Sequence, residues 1–548
     1  MPTLHWIGKD AVIDHHKQVP FHLLKCDPQR SVDSPPALGE GSGERSDNLL
    51  VQGDNLLALK ALLPHYAGQV KCIYIDPPYN TGNEGWVYND NVNSPEMRAW
   101  LGRTVGSESE DLSRHDKWLC MMYPRLVLLR EMLREDGSLR MSIDDNEVHH
   151  ARSVMDEIFG SQNFITTVIW QKIFSPKSTA RHLSESHDYI LVYSKNSNLW
   201  ERNLLTRNEQ HNERYKNPDN DPRGVWSSSD MSARNYYGQG TYSIQTPSGR
   251  IIAGPPKGMY WRVSKETFKE LDIDNRIWWG KDGNNVPRMK RFLSEVQEGV
   301  VPQTIWFHQE VGNTQEAKKE IVKIIPDDTE VFISPKPTRL IQRILQIATN
   351  PGDLILDSFA GSGTTGHAVM QMNQEDGGNR RFILVEMDEN ICQNITAERL
   401  KRVSLGYEWK DQKGKLKKEE GLGGGFRFCT LGEPLFDSEG QIQKAVTYED
   451  LARHVYFTET GQPFSDKFKK KFPLLGVHNG LAVYLLYNGV LKDKSRNGGN
   501  VLTRALLAEL PAHDGPKVLY GNGTLLSEST LRGLGITFRQ VPYEIKIS

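Results

Sequence analysis

The stretch KCIYIDPPYN, residues 71–80, constrains the chain more than any other. Its first half is apolar and short, the pattern of a buried strand. It runs directly into Asp76 and then Pro77-Pro78. Prolines neither donate to a sheet ladder nor continue a helix, so the strand must stop there and the chain must turn. Strand and helix signals alternate around it. Residues 49–51 read as a strand, Asp54-Asn55 as a loop or helix cap, and 56–63 as a helix. Residues 116–135 read as an amphipathic helix closed by Asp136-Gly137, and 139–143 and 189–193 as strands. Later come a helix near 338–348, the strand DLILD, a glycine-rich turn and a helix from about Thr365. The strand FILVE and a helix over 390–402 follow, and residues 407–420 read as helical or linker-like. This alternation predicts an α/β sheet.

Composition narrows the function classes. A chain of 548 residues suggests about three or four structural units. There is no apolar run of the roughly 18 residues a membrane span needs. The opening MPTLHWIGKDAVIDHH has no signal-peptide core. Cys26, Cys72, Cys120, Cys392 and Cys429 show no CxxC spacing. That argues against a disulfide framework or a zinc ribbon and fits a cytoplasmic protein. The 16 histidines form no HExxH pattern, so no metal is expected, and His15-His16 and His149-His150 read as surface pairs. A net charge of −2 excludes a uniformly basic nucleic-acid binder but not a local basic cleft. Between about 200 and 300 the alternation breaks into polar loops with interleaved aromatics. Within it, 257–292 carries nine Lys/Arg against five Asp/Glu, a local +4. An inserted recognition region is the expectation.

The Asp76-Pro77-Pro78-Tyr79 string sits at the carboxyl end of its strand, where open α/β sheets bind ligands. Asp76 and the Pro77 carbonyl can accept both hydrogens of an exocyclic amino group. That would draw its delocalised lone pair toward a nucleophilic geometry. Tyr79 offers a flat face on which a base taken from its duplex could stack. The plainer alternative is a proline-rich turn with Tyr79 packed at the surface.

A second string, DSFAGSGTT (residues 357–365), follows DLILD. Its glycines allow close backbone approach, and the next helix presents free N–H groups. Glu386 ends the following strand, where an acid can bind ribose hydroxyls. GSGTTG also matches a dinucleotide fingerprint in spacing, so a nicotinamide site competes, but it would leave Asp76-Pro-Pro-Tyr79 unexplained.

Together the two strings resemble those of amino-methyltransferases: DPPY resembles the catalytic motif of DNA adenine methyltransferases, and SFAGSGTT their S-adenosylmethionine motif. The order, catalytic string first, resembles the β-class, a circular permutation of the same fold. LVQGDNLLALKALL, MMYPRLVLLREMLREDGSLRMSIDDNE, WWGKDGNNVPRMKRFLSE and SPKPTRLIQRIL resemble the modification subunit of type III restriction–modification systems, over roughly residues 48–440. The resemblance implies a Rossmann-like, circularly permuted methyltransferase fold with an inserted target-recognition domain and a C-terminal α+β domain. The expected units are an N-terminal extension over 1–48 that ends in the linker-like SVDSPPALGEGSGERSDN, a catalytic half over 49–199 and a recognition insert over 200–300. A cofactor half over 301–406 and a linker with C-terminal domain over 407–548 complete the chain.

The resemblance also implies roles. Asp76, Pro77, Pro78 and Tyr79 are the expected catalytic residues. Asp357, Phe359, Gly361, Ser362, Gly363, Thr364 and Glu386 are expected to bind S-adenosylmethionine, with Lys336 beside its carboxylate and Asp54 at its adenine. Asp54 reads equally well as a helix cap, and Lys336-Pro337 as the lead-in to a helix. Arg223, Arg234, Lys281, Asn284, Arg288, Lys290 and Arg291 are candidate DNA contacts, mostly to phosphates, although each could be an ordinary solvated side chain. Trp226, Trp278 and Trp279 read as core. The implied partners are double-stranded DNA, a second copy of the chain and a separate restriction (helicase–nuclease) subunit. The chain has no GxxxxGK[ST] loop of its own. No cysteine follows a proline, which disfavours cytosine carbon-5 chemistry. An RNA methyltransferase and a non-catalytic DNA-binding subunit are the competing readings.

Overall fold

The computed structural model describes residues 3–33, 47–81, 95–104, 113–207, 212–296, 299–326, 334–411, 413–464, 473–488, 493–542 and 545. Most of the expected linker, 34–46, lies outside them. The chain divides into two compact units, Met1–Arg202 with Gln303–Ser548, and Asn203–Pro302.

The first unit is built on a ten-stranded sheet. Its strands are β1 (His22–Val32), β2 (Leu49–Gln52), β3 (Val70–Ile75), β4 (Leu133–Ile143), β5 (Phe164–Gln171), β6 (His187–Ser194), β7 (Ile305–Trp306), β8 (Leu354–Asp357), β9 (Arg381–Glu386) and β10 (Phe426–Pro434). They lie in the order β1-β10-β2-β9-β8-β3-β4-β6-β5-β7. From β10 to β4 every pair is parallel, whereas β6 runs antiparallel to both β4 and β5. All six residues of β3 and all four of β8 are buried. Their unbroken apolar runs reflect a parallel sheet covered on both faces.

Helices α1 (Asn55–Tyr66), α2 (Arg114–Met132), α3 (Val148–Phe159), α4 (Thr338–Ala348), α5 (Thr364–Asp376) and α6 (Ala397–Leu405) belong to the same unit. α2 starts from a capping box between Ser113 and Asp116 and buries Trp118, Leu119, Leu126 and Leu129 in the main core. Each large apolar side chain so buried contributes roughly 1.5–3 kcal/mol.

The central neighbours β8 and β3 fix where a ligand can bind. β8 leads through α5 to β9 on one side, and β3 leads to β4 on the other. The loops leaving their carboxyl ends therefore diverge and open a crevice. This is a Rossmann-like α/β sheet entered at β2, so the Asp76 loop precedes the glycine turn in the chain. The circular permutation expected from the motif order is present in the strand order.

Elsewhere the structure departs from the sequence reading. Residues 22–32, read as part of an extension, form β1 and pair antiparallel with β10. Cys26 and Cys429 face each other in that ladder and form a disulfide across 403 residues. This corrects the expectation of unpaired thiols, because strand register brings the two together and chain spacing carries no sign of it. Residues 407–420 form neither helix nor open linker: Gly406–Lys410 pairs with Leu416–Glu420 in a hairpin. Its turn closes at Gly414, whose φ of 76° suits glycine. β10 joins the main sheet, so the C-terminal region begins as part of the central fold. Beyond it, β11 (Leu474–His478), β12 (Leu481–Leu485), β13 (Lys517–Gly521) and β14 (Ile536–Gln540) form a four-stranded sheet with its own core around Tyr484, Leu519 and Ile536.

The second unit has short strands. Ile277–Trp278, Arg288–Phe292 and Trp226–Asp230 form a three-stranded antiparallel sheet. Met231, Trp261, Phe268 and Trp279 make its core.

Candidate active site

Asp76 follows the last residue of β3, and Asp357 is the last residue of the adjacent β8. Strand pairing thus brings together two carboxylates that lie 281 residues apart in the chain. Asp76 Oδ2 pairs with Lys336 Nζ. Asp76 Oδ1 is buried, and among the described residues no group hydrogen-bonds it. A buried oxygen without a partner costs stability, so its retention marks a site that awaits a donor. Burial raises the carboxyl pKa, and the neighbouring Lys336 ammonium opposes that rise.

The loop after Asp76 is anchored on both sides of Tyr79. Trp118 Nε1 donates to the Pro78 carbonyl at 2.7 Å. Asn80 Nδ2 donates to Glu147 and, at 3.2 Å, to the Arg114 carbonyl. Tyr79 OH donates to Asp188 Oδ2 at 3.3 Å, and Asp188 Oδ1 accepts from Lys172 Nζ at 2.5 Å. Burial pushes the Tyr79 phenol well above its ordinary pKa, and Asp188 adds to the rise, so Tyr79 is a neutral donor and ring. A cavity of about 440 Å³ opens here, lined by Tyr79, Asp144, Trp170, Lys172, Asp188 and Lys336. That is within the size range of small-ligand sites.

The glycine turn lies across Lys336 from this cavity. Gly361 and Gly363 hold φ of 50° and 74°, and a Cβ on Gly363 would meet Thr396 Cγ2 at 3.2 Å. The turn is held from below. Glu386 Oε2 accepts the Gly361 N–H at 2.8 Å, and Oε1 accepts the Asp388 N–H at 2.9 Å. Asp357 accepts from Phe359 N at 3.0 Å and from the Thr365 hydroxyl at 2.5 Å. Burial pushes its carboxyl up to about 7. Arg399, fully buried, donates to Ser362 Oγ at 3.2 Å and Thr364 Oγ1 at 2.8 Å and pairs with Glu320. Asp76, Lys336, Asp357, Phe359, Gly361 and Thr364 border a narrow space of about 20 Å³, the room of one water.

The structure therefore gathers Asp76, Pro77, Tyr79, Asp357, Phe359 and the glycine turn around one crevice. Lys336 reaches Asp76 as well as bordering the turn. Asp54 caps α1, accepting from Leu56 N and Leu57 N at 2.9 and 3.1 Å. Its second oxygen takes the buried Arg125 at 3.1 Å. Next to it, Asn55 donates to the Ser358 carbonyl at 3.2 Å, tying this cap to the glycine turn.

In the other unit, Lys290 is 1% exposed and bridges Asp219 and Asp221, with its ammonium 5.5 Å from the Trp226 ring. It is a core cation and corrects the expectation of a DNA contact. Arg223 is spent on Asp221 and Asp274 and packs over Phe292. Arg234, Lys281, Asn284, Arg288 and Arg291 are exposed. Arg288 is held by Asp230 and Arg291 by Ser229.

Asp188, Lys172, Glu147 and Arg399 escaped the sequence reading. Asp188 carried the faintest signal, an acid beside the start of the strand YILVY. The others are joined to the site by contacts between distant segments.

Comparison with known proteins yields three kinds of relative. The model of the N6/N4 DNA methylase family matches residues 70–399. The Mod subunit of the type III restriction-modification enzyme StyLTI from Salmonella typhimurium strain LT2 is 36% identical over 368 residues, 65% of this chain and 55% of that protein. The EcoP15I Mod subunit from Escherichia coli is 30% identical over 73% of this chain and 69% of that protein. The type II methyltransferase M.KpnI from Klebsiella pneumoniae is 31% identical over 63% of this chain and 82% of that protein. The chain thus spans little more than half the length of the StyLTI subunit.

Proposed function

This chain belongs to the N6/N4 DNA methylase family, and on that premise we propose that it is a site-specific DNA adenine methyltransferase. It uses S-adenosylmethionine and acts in the cytoplasm as the modification and recognition subunit of a type III restriction–modification system. The observation that carries the proposal is the buried Asp76 Oδ1, which no group among the described residues hydrogen-bonds, beside the glycine turn at the divergence of β3 and β8.

The residues of the turn suit the cofactor. Asp357 and Asp76 offer carboxylates to a cation, and two positive-φ glycines leave the backbone bare for close approach. When bound, S-adenosylmethionine supplies a methyl group on a sulfonium, already a good leaving group. Phe359 and the turn would line its methionine and ribose side. Glu386, which ends β9, would serve the ribose hydroxyls. Lys336, which borders the same space, would sit beside the cofactor's carboxylate.

The chain then does three things. Tyr79 stacks a flipped adenine in the 440 Å³ cavity, offsetting the few kcal/mol of lost duplex stacking. Asp76 Oδ1 and the Pro77 carbonyl accept the two amino hydrogens and turn the nitrogen lone pair toward the methyl. Transfer would form the nitrogen–methyl bond as the methyl–sulfur bond breaks, leaving a neutral thioether, and the nitrogen would give up one proton to Asp76 beside it. Catalysis is positioning and electrostatics, with no covalent enzyme intermediate. Exposed Arg234, Lys281, Asn284, Arg288 and Arg291 would contact DNA, chiefly its phosphates. A second copy of the chain and a restriction subunit would be its protein partners.

The test is to incubate the purified protein with labelled cofactor and, in parallel, duplex DNA or RNA, digest to nucleosides and identify the product. N6-methyladenine supports the proposal, N4-methylcytosine moves the target to the cytosine amino group, and label in RNA alone overturns it.

A further inference from the structure

Glu147 is fully buried, yet none of the roles above uses it. It stands at the N-terminus of α3 but its side chain makes no capping bond. The carboxylate turns to the Asp-Pro-Pro-Tyr loop instead. Oε1 accepts from Asn80 Nδ2 and from His115 Nδ1 at 2.6 Å. Oε2 accepts from His150 Nδ1 at 2.8 Å. Both bonds require each imidazole to carry its proton on Nδ1.

Asn80 is the next residue after Tyr79. It is 1% exposed and holds a φ of 57°, a left-handed conformation that Asn adopts more readily than most side chains. Its amide is held by Glu147 on one side and the Arg114 carbonyl on the other. Trp118 secures the Pro78 carbonyl. Tyr79 therefore hangs between two anchors, and one of them is a buried charge.

We propose that Glu147 is a positioning residue for methyl transfer. Acting through Asn80, it sets the backbone that carries Tyr79 and the Pro77 carbonyl. The role in transfer rests on the methyltransferase reading above. The ligand atoms of His115, Glu147 and His150 lie within 4.8 Å of one another, a spacing that could also hold a divalent cation. However, both Glu147 oxygens are already engaged, one of them by the Asn80 amide, which no cation site needs. The hydrogen-bonded anchor accounts for all four side chains.

The test compares the full chain with Glu147→Ala, Glu147→Gln, Asn80→Ala and the double variant Glu147→Ala/Asn80→Ala. Single-turnover transfer, cofactor affinity and hydrogen exchange of the Tyr79–Thr81 amides are measured for each. A loop displaced by about 1 Å should slow transfer on the order of 100-fold in each alanine variant, while cofactor affinity changes less than about twofold. The double variant should be no slower than the slower single, because both cut one link. Glu147→Gln keeps a carbonyl for Asn80 and should recover most of the rate. Loop amides should exchange faster in Glu147→Ala, whatever the reaction. Should Glu147→Ala not fold, Asn80→Ala and Glu147→Gln carry the comparison.

Wild-type rates and exchange in the alanine variants would overturn the proposal, as would losses that multiply in the double variant. Stoichiometric binding of zinc chloride by the wild type, lost in His150→Ala, would overturn it in favour of a metal site. A wild type that transfers no methyl to any nucleic acid would sink the methyltransferase reading alone. Faster loop exchange in Glu147→Ala would still establish the anchor.

Discussion

The ammonium of Lys336 rests on Asp76 Oδ2, 260 residues earlier in the chain, and lies 5.1 Å from the centre of the Tyr79 ring. Lys336 is 8% exposed and borders both the glycine-turn space and the 440 Å³ cavity. Its charge sits against the same carboxylate and ring that the proposed mechanism gives to the target amino group. Lys336 thus borders both spaces and opposes the burial that raises the Asp76 pKa.

Replacing it should move a pH profile. Burial raises the Asp76 pKa and Lys336 restrains that rise. Transfer needs the carboxylate, so activity falls as pH drops through the Asp76 pKa. In Lys336→Met the restraint is gone, and the acid limb of the kcat profile should move to higher pH. An unmoved limb would show that Asp76 ionisation does not control the rate.

The glycine turn should fail as a unit. Gly361 holds a φ of 50°, which a β-branched residue adopts at high cost. Gly361→Val should abolish cofactor binding measured by calorimetry while the helical circular dichroism stays near wild type. Unchanged cofactor affinity would place the binding loop elsewhere.

Asp357 should leave a signature in stability. Its folded pKa is raised by burial to about 7, above the ordinary carboxyl value of 3.8. The protonated form is thus favoured by folding. That contribution is complete below about pH 3.8 and is lost as pH rises to about 7. About three pKa units correspond to roughly 4 kcal/mol. Asp357→Asn removes the titration, so the urea-unfolding free energy of the cofactor-free variant should lose that slope between pH 4 and 7. Parallel profiles would mean that Asp357 is already ionised in the folded protein.

How much was legible follows from how local each signal is. Asp76 and the glycine turn were readable because a short apolar run stopped by two prolines, and a strand followed by a turn with Gly-Ser-Gly, announce themselves within ten residues. Lys290 was misread because its charge looked solvated, while the acids that bury it lie 69 and 71 residues earlier. β1, the Cys26–Cys429 bond and the Glu147–Asn80 contact all depend on pairing between remote segments. Strand register and helix docking decide such contacts, and neither leaves a trace in local periodicity.

Lys290 and Arg291, adjacent in one strand, should separate structure from binding. Lys290→Ala leaves Asp219 without its cation and Asp221 with Arg223 alone, and should destabilise the 203–302 unit by about 1–3 kcal/mol. Arg291→Ala should leave thermal unfolding unchanged and reduce the salt dependence of DNA binding by about one phosphate contact. The reverse pattern would mean that the buried pair is dispensable and the exposed arginine structural.

The most direct measurement is expression of the chain in a bacterial host without DNA methylation, followed by modification-sensitive sequencing of that host's genome. The account predicts N6-methyladenine at one short sequence motif, and none at all when Asp76→Ala is expressed at the same level. Methylation that persists in Asp76→Ala, or a mark on cytosine carbon-5, would contradict it.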